Sequence, residues 1–335
     1  MTYSYTDLKK LLEKERLNLY IIVGNDTYLI SSCVRLIVSK HEEDEVVNYD
    51  LTKLVADDLK ASFFSFPFFS GRLVVVDNFN PTKLNAEQKE LFDSLLSSIP
   101  DFLIVILTNC FEGRFGVNKQ YEKLAETVKD SAIITAEKPV GSQALRLVAQ
   151  LAAKEGAKIK KDAAELLFFL AGDDMFSIVS EIKKLAAFCS YTTIEREHVR
   201  RITVKSTESS VFDMISALEK QDIRTALIVL REMIDNRTEP IIISSTLNTA
   251  FINLYRAKLI SEKNRRKDEM YSLFDYRKDD RKVSIALSRV ANYTKAQLSS
   301  ILKTLYQLDI DLKSSPVDRN IILEQAVIEI AMSRS

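Results

Sequence analysis

The residues best placed to do chemistry are in the turn Gly24-Asn25-Asp26-Thr27-Tyr28-Leu29, directly after the apolar run Leu19–Val23. A turn that cradles phosphate needs several glycines so that backbone amides converge, a lysine for the outer phosphates and a hydroxyl for magnesium. This turn has one glycine, one threonine and no lysine. Asp26 adds a negative charge at the start of the following helix, where it repels a triphosphate but suits a helix cap. Asp77 closes the run LVVVD, a place for a magnesium-holding carboxylate, yet Asn78 follows it and not a second acid that could activate water. Asp77 therefore reads as a strand-end turn residue. Thr108-Asn109 stand where a polar group could sense a nucleotide, which is an analogy of position alone. His41 in HEEDE and His198 in EREHVRR have no partner at triad or metal-ligand spacing and read as solvated side chains. No catalytic residue, cofactor site or metal site is expected.

Binding is the chemistry that remains. Between Arg256 and Arg289 eleven basic residues face six acidic ones, with Tyr271, Phe274 and Tyr276 interleaved, so this stretch could meet a phosphate backbone or could be a solvated helix face and loop. The aromatic segment Ala61–Asp77, ASFFSFPFFSGRLVVVD, is more distinctive. Leu59, Phe63 and Phe66 recur at helical spacing and can face a core, while Pro67 disfavours the α conformation at Phe66 and should end the helix. Phe68 and Phe69 are left over, to be buried by another element or to stand out as an apolar tip that a partner covers.

The elements that must position these residues change type along the chain. Strands are expected at 18–23, 46–50, 73–77, 102–108 and 132–135, with helices at 28–40 and 55–66, so residues 1–138 predict a mainly parallel sheet covered on both faces. Ligands of such sheets sit beyond the carboxyl ends of the strands. Pro139, Gly141 and Ser142 form a link with Ser142 as N-cap, and helices at 142–154, 162–170, 175–188 and 195–202 make a compact helical domain, 139–206. After a polar hinge at Ser206–Ser210, helices at 211–220, 223–235, 240–262, 283–293, 296–312 and 318–332 make a helical bundle in 207–335.

Bulk composition agrees with several domains: 335 residues are long for one core. Lysine plus arginine total 47 and aspartate plus glutamate 47, so no whole-chain field draws it to nucleic acid or anionic lipid, and any such contact is local. The first ten residues carry no apolar signal core and the longest apolar runs are strand length, so no membrane association is expected. Cys33, Cys110 and Cys189 are few, odd in number and far apart, which fits reduced thiols and a cytoplasmic home.

The segments YIIVGNDTYLI from Tyr20, FFSGRLVVVD from Phe68, AGDDMFSIVSEIKKLAAF from Ala171, VFDMISALEKQDIRTALIVLREMIDNRTEPIIISSTL from Val211 and LYQLDIDLKSS from Leu305, in this order and spacing, resemble the delta subunit of the bacterial DNA polymerase III clamp loader. The resemblance spans nearly the whole chain. It implies an AAA+-type α/β domain without a working nucleotide site (1–138), a small helical lid (139–206) and a helical collar for oligomerisation (207–335). It also implies a non-catalytic role in DNA replication. Such a subunit grips the sliding clamp and helps spring one ring interface open, while sister ATPase and delta-prime type subunits complete the loader and the clamp is closed on primed DNA. In the family the grip is a helix ending in two adjacent apolar residues before a small residue and an arginine. Here that position is Phe68-Phe69 followed by Ser70-Gly71-Arg72, with Phe-Phe in place of a Leu-Phe type pair. Phe66 and Pro67 adjoin the pair and complete the expected clamp-binding set. Burying both rings would contribute roughly 3 to 6 kcal/mol before ordering costs. The competing reading is an ATP-binding clamp-loader subunit or a divergent P-loop ATPase or nucleotide kinase. Ser31-Ser32-Cys33 superficially resembles an arginine-finger motif but lies on the first helix with no zinc module after it, leaving Arg35 a surface residue.

Overall fold

Runs of β-branched and leucine residues without polar alternation need cover on both faces, and that requirement shapes the first half of the chain. In the computed structural model, which describes residues 1–14, 16–67, 70–111, 119–263, 266, 268–274, 276 and 280–333, the chain divides into two units, Met1–Lys138 and Pro139–Ser335.

The first unit runs β1 (Thr2–Ser4), α1 (Leu8–Lys14), β2 (Leu19–Gly24), α2 (Thr27–Val38), β3 (Glu45–Asp50), α3 (Ala56–Phe64), β4 (Arg72–Asp77), α4 (Ala86–Ser97), β5 (Leu103–Cys110), α5 (Lys119–Thr127) and β6 (Ser131–Ala136). All described strand pairs are parallel, in the order β1-β6-β2-β5-β4-β3. The central strands β2, β4 and β5 are buried almost throughout, whereas the edge strand β3 alternates. On one face Leu59 and Phe63 of α3 and Leu91, Phe92 and Leu95 of α4 pack on Leu19, Val74 and Val105. Phe79 meets Phe92 edge to face at 4.8 Å between centroids.

The second unit holds α6 (Gly141–Lys154), β7 (Lys158–Ile159), α7 (Lys161–Ala171), α8 (Met175–Phe188), β8 (Thr193–Ile194), α9 (Arg196–Ile202), α10 (Thr207–Glu219), α11 (Ile223–Asp235), α12 (Pro240–Glu262), α13 (Asp268–Leu273), α14 (Arg281–Arg289), α15 (Lys295–Ser314) and α16 (Arg319–Met332). Helix α12 starts with proline at its first turn, where the missing N–H is no loss, and lies along the core with Leu247, Phe251 and Leu254 buried. The carbonyls at the end of α7 are met from later in the chain: Ser206 N–H donates to Leu170 at 2.7 Å, and the Arg281 guanidinium donates to Phe168 at 2.7 Å and Phe169 at 3.1 Å.

Four expectations need correction. Helix α3 stops at Phe64, its cap Ser65 is extended, and Phe66 is 84% exposed instead of lying in the core, because Pro67 keeps the preceding residue out of the α region. Ser142 is not an N-cap: Val140 holds that position without a side-chain bond, and Gly141 takes the left-handed turn. The polar segment Ser206–Ser210 is a helix start, with Ser206 Oγ accepting from Ser209 N–H at 3.2 Å. The helix expected at 283–293 is α14 followed by a tighter turn of 3-10 helix, Val290–Asn292. Strands β1, β7 and β8 and helices α1, α4, α5 and α13 are additional to the expected elements; β1 is three residues at the sheet edge, too short for a pattern.

Candidate functional site

The chain turns one way after β2, toward β3, and the other way after β5, toward β6, so the ligand crevice of a sheet of this kind would lie beyond Gly24 and Cys110. That place is closed. Phe111 N–H donates to the Gly24 carbonyl at 2.7 Å, extending the β2–β5 ladder past its end. A Cβ on Gly24 would sit 1.9 Å from the Ala136 carbonyl oxygen, so this glycine serves the close approach of β2 to β6 and not an approach to phosphate. The 5%-exposed Asp26 caps α2, its carboxylate accepting from Leu29 N–H at 2.9 Å, and so puts negative charge where a phosphate would need to be.

The other sequence candidates of this end are used internally. Thr108 Oγ1 donates to Asp77 Oδ1 at 2.5 Å. Asn109 donates to the Tyr121 hydroxyl at 2.9 Å, and that hydroxyl donates to the Phe79 carbonyl at 3.0 Å. Burial pushes the Tyr121 phenol up to about 12 against the opposing pull of the Asn109 bond. Burial likewise raises the Cys33 thiol to about 12. Arg35 donates to Ser32 at 3.1 Å and lies over the Tyr28 ring, so the Ser31-Ser32-Cys33 stretch is ordinary helix. His41 pairs with Asp44 at 3.3 Å, and His198 completes the capping box of α9. Among the described residues no group of three or more His, Cys, Asp or Glu could hold a metal, and no helix is long and apolar enough to cross a membrane.

Four of the basic residues in that stretch have partners within the second unit itself. Arg256 donates to the Tyr276 hydroxyl at 2.6 Å and lies over the Phe274 and Tyr276 rings, and Tyr276 in turn bonds buried Asn253. Arg281 caps α7 and stacks on Phe169, Lys282 pairs with Glu208 at 3.4 Å, and Arg289 reaches Ser216 at 2.7 Å. A count of charges cannot see these partners.

At the opposite end of the sheet the corner between α3 and β4 has a different character. Because each crossover helix runs back along the parallel strands, the end of α3 lies at the amino ends of the strands, away from the closed crevice. Helix α3 forms with Asp57 and Asp58 in its first turn, where acids suit the dipole, and with Leu59 and Phe63 turned to the core. Tyr49 of β3 ties to it through Ser62 at 2.5 Å and the Asp58 carbonyl at 2.9 Å. At its last residue and just past it the aromatic side chains turn outward: Phe64 is 62% and Phe66 84% exposed, the Phe66 ring resting on Phe102 at 5.5 Å. Pro67 is half-buried, and Phe68 and Phe69 lie outside the described residues. The helical spacing points Phe66 inward, but Pro67 ends the helix before that spacing can hold, and the ring lies in solvent.

A sequence model of the DNA polymerase III delta subunit matches residues 20–135, and a model of that subunit's C-terminal domain matches residues 208–330, together more than two thirds of the chain. The chain is similar to the DNA polymerase III subunit delta of Bacillus subtilis, 22% identical over 340 residues, covering 97% of this chain and 96% of that protein. Among solved structures it resembles the Bacillus subtilis DNA clamp loader delta protein with a TM-score of 0.70 and 23% identity, covering 98% of this chain and 99% of that one, which shows a shared fold.

Proposed function

The chain belongs to the DNA polymerase III delta-subunit family, the non-catalytic clamp-loader subunits of that polymerase, and from that premise we propose that it grips the sliding clamp through the α3–β4 corner. The grip consists of Phe68 and Phe69, flanked by Phe66 and Pro67. The observation that carries this reading is the outward turn of Phe64 and Phe66 at the end of α3, 62% and 84% exposed, immediately before that pair. Contiguous exposed aromatics mark partner surfaces, and two well-packed rings can anchor an interface whose remaining contacts add little.

The mechanism is differential binding. A corner that binds the opened clamp better than the closed one shifts the ring toward opening by that difference in affinity, with no bond broken by this chain. ATP is handled by sister ATPase subunits, consistent with a crevice closed by Asp26 and the Phe111–Gly24 bond. The remaining parts of the proposal are a lid at 139–206, a collar at 207–335 that seats the subunit beside ATPase and delta-prime type partners, contact with primed DNA through the assembled loader, and a cytoplasmic setting.

The test is a pull-down of the cognate sliding clamp by the full chain at low and moderate salt. The expected result is capture that persists at the higher salt, since an apolar grip is screened little, and its loss in Phe68→Ala with Phe69→Ala at an unchanged unfolding midpoint. Undiminished capture by the double variant would sink the reading.

A further inference from the structure

Residues 139–206 and 207–335 are joined by polar groups and not by a common core. Among the described residues the apolar core of α10–α16 runs from Val211 to Ala331 and takes in no side chain of α6–α9. The joint forms around the end of α7, where the last carbonyls have no helical partner. Leu170 receives the Ser206 N–H at 2.7 Å, and Phe168 and Phe169 receive the guanidinium of Arg281, the first residue of α14, at 2.7 and 3.1 Å. The same guanidinium lies over the Phe169 ring, 5.1 Å from its centre. Next to it Lys282 pairs with Glu208 in the first turn of α10 at 3.4 Å, and Asp173, in the link from α7 to α8, acts on both cations through its charge. Burial is the largest influence on the Lys282 ammonium and pulls its pKa down, yet Glu208, Asp173 and Asp280 outweigh it and leave that pKa raised. Gly172 turns the chain out of α7 at a φ of +81°, a conformation that other residues rarely adopt, with Ser206 beside it. Between the two bodies lies a cavity of about 310 Å³, with Asp173, Glu208, Phe212, Thr249, Asn253 and Lys282 in its lining, whereas a single close-packed core has few voids larger than a water molecule.

We propose that Arg281 and Lys282 are positioning residues, a latch on α14 that sets the angle at which residues 139–206 stand on the helices of 207–335. Releasing it opens neither core. The groups it parts are carbonyls, a backbone amide and carboxylates, which water can take over, so release costs far less than exposing buried apolar side chains. Joints between bodies of a chain move unless they are large and hydrophobic, and here the holding is concentrated in two adjacent side chains. The guanidinium suits the first part of the latch: its planar fork reaches two carbonyls while its face rests on an aromatic ring, which the ammonium of lysine cannot reproduce. The ammonium of Lys282 suits the second, as a single charge drawn by the carboxylates of Glu208 and Asp173.

The experiment measures the distance between nitroxide labels at Gln150→Cys in α6 and Lys303→Cys in α15, both exposed, by pulsed electron paramagnetic resonance on the full chain. Cys110 and Cys189 are replaced by serine, and buried Cys33 is left in place. Arg281→Lys and Glu208→Gln are compared with this parent, and hydrogen exchange of the Ser206 amide, α8 and α15 is followed in unlabelled samples. The parent is expected to give one narrow distance distribution. Arg281→Lys should broaden it about twofold, with Ser206 exchanging about tenfold faster and α8 and α15 changing less, because the donor is lost from the joint and not from either core. Glu208→Gln should shift both readings in the same direction, and it keeps the test decisive if Arg281→Lys lowers the unfolding midpoint, since it leaves the donors of the α7 carbonyls in place. A parent-like distribution in both variants overturns the latch. So does exchange in α8 and α15 that quickens as much as at Ser206, which would mean that the two bodies open as one. A broad distribution in the parent itself would show the joint unlatched and overturns it as well.

Discussion

Phe63→Ala and Phe66→Ala differ by three positions and should differ several-fold in cost. Phe63 is fully buried among Leu59, Val74 and Phe92, and truncating such a ring costs roughly 3 to 5 kcal/mol through lost transfer energy and the cavity left behind. Phe66 keeps only about a sixth of its surface covered, since it is 84% exposed, so it forfeits about that share of the 1.5 to 3 kcal/mol that full burial is worth. Adding the ring contact with Phe102 at 5.5 Å brings the total to about 1 to 2 kcal/mol, still below the cost at Phe63. Denaturant titration of the full chain, read by hydrogen exchange of peptides from β2, β4 and β5, isolates the unit that holds both residues. Equal losses for the two variants would mean that the helix runs through Phe66 and that the corner is core. The same Phe66→Ala protein should bind the clamp more weakly than the parent while losing far less stability than Phe63→Ala, a separation that a core residue does not give.

Other consequences follow from the closed crevice and the buried groups. Gly24→Ala should destabilise the first unit by several kcal/mol, because its new methyl meets the Ala136 carbonyl backbone at 1.9 Å; a near-native unfolding midpoint would refute the close β2–β6 approach. Magnesium-ATP at millimolar concentration should leave the unfolding midpoint unmoved, whereas a concentration-dependent rise would reveal a working nucleotide site. Cys33 and Tyr121 both have folded-state values raised to about 12, so the unfolded chain loses those protons first, and stability present below pH 9 should fall as pH rises toward 12; a flat midpoint from pH 8 to 11 would contradict this. Arg281→Ala should cost the second unit about 1 to 3 kcal/mol by leaving the Phe168 and Phe169 carbonyls at the end of α7 without their charged donor, and an unaltered denaturation curve would show that water replaces it.

What was legible in the sequence was local. Asp26 could be read as a cap because capping needs only a short polar side chain three residues before an amide, and the observed bond to Leu29 has that separation. The central strands could be read because burial on both faces leaves continuous apolar runs, as in LVVVD and LIVIL. Phe66 was misplaced because periodicity extends past the point where the backbone can follow it: three residues after Phe63 is a core position only while the helix lasts, and Pro67 ends it. The basic stretch was illegible for another reason. Arg281 meets carbonyls 113 and 112 residues earlier, and Tyr276 reaches back to Asn253 and Arg256, one turn apart on α12. Such partners are set by helix packing, which leaves no mark in a charge count. Arg72 likewise looked like a residue that merely precedes a strand, although its guanidinium gathers groups from β3 and α3.

The two ends of the sheet explain one another. A parallel sheet that binds a ligand beyond its strands' carboxyl ends must leave donors there without internal partners, and its stability then depends partly on the ligand. Here those donors are consumed: Leu29 N–H by Asp26, Phe111 N–H by Gly24, and the Asn109 amide by Tyr121. Among the described residues at that end, these three donors are satisfied within the unit. The opposite end carries the incompleteness, with Phe64 and Phe66 in solvent at the point where α3 stops. Leaving those rings uncovered forgoes burial that a monomer could have used, and that loss is recovered only when another surface covers them. Capping and packing within the unit use these donors at the carboxyl ends of the strands, and the exposed rings of Phe64 and Phe66 gather at the amino ends.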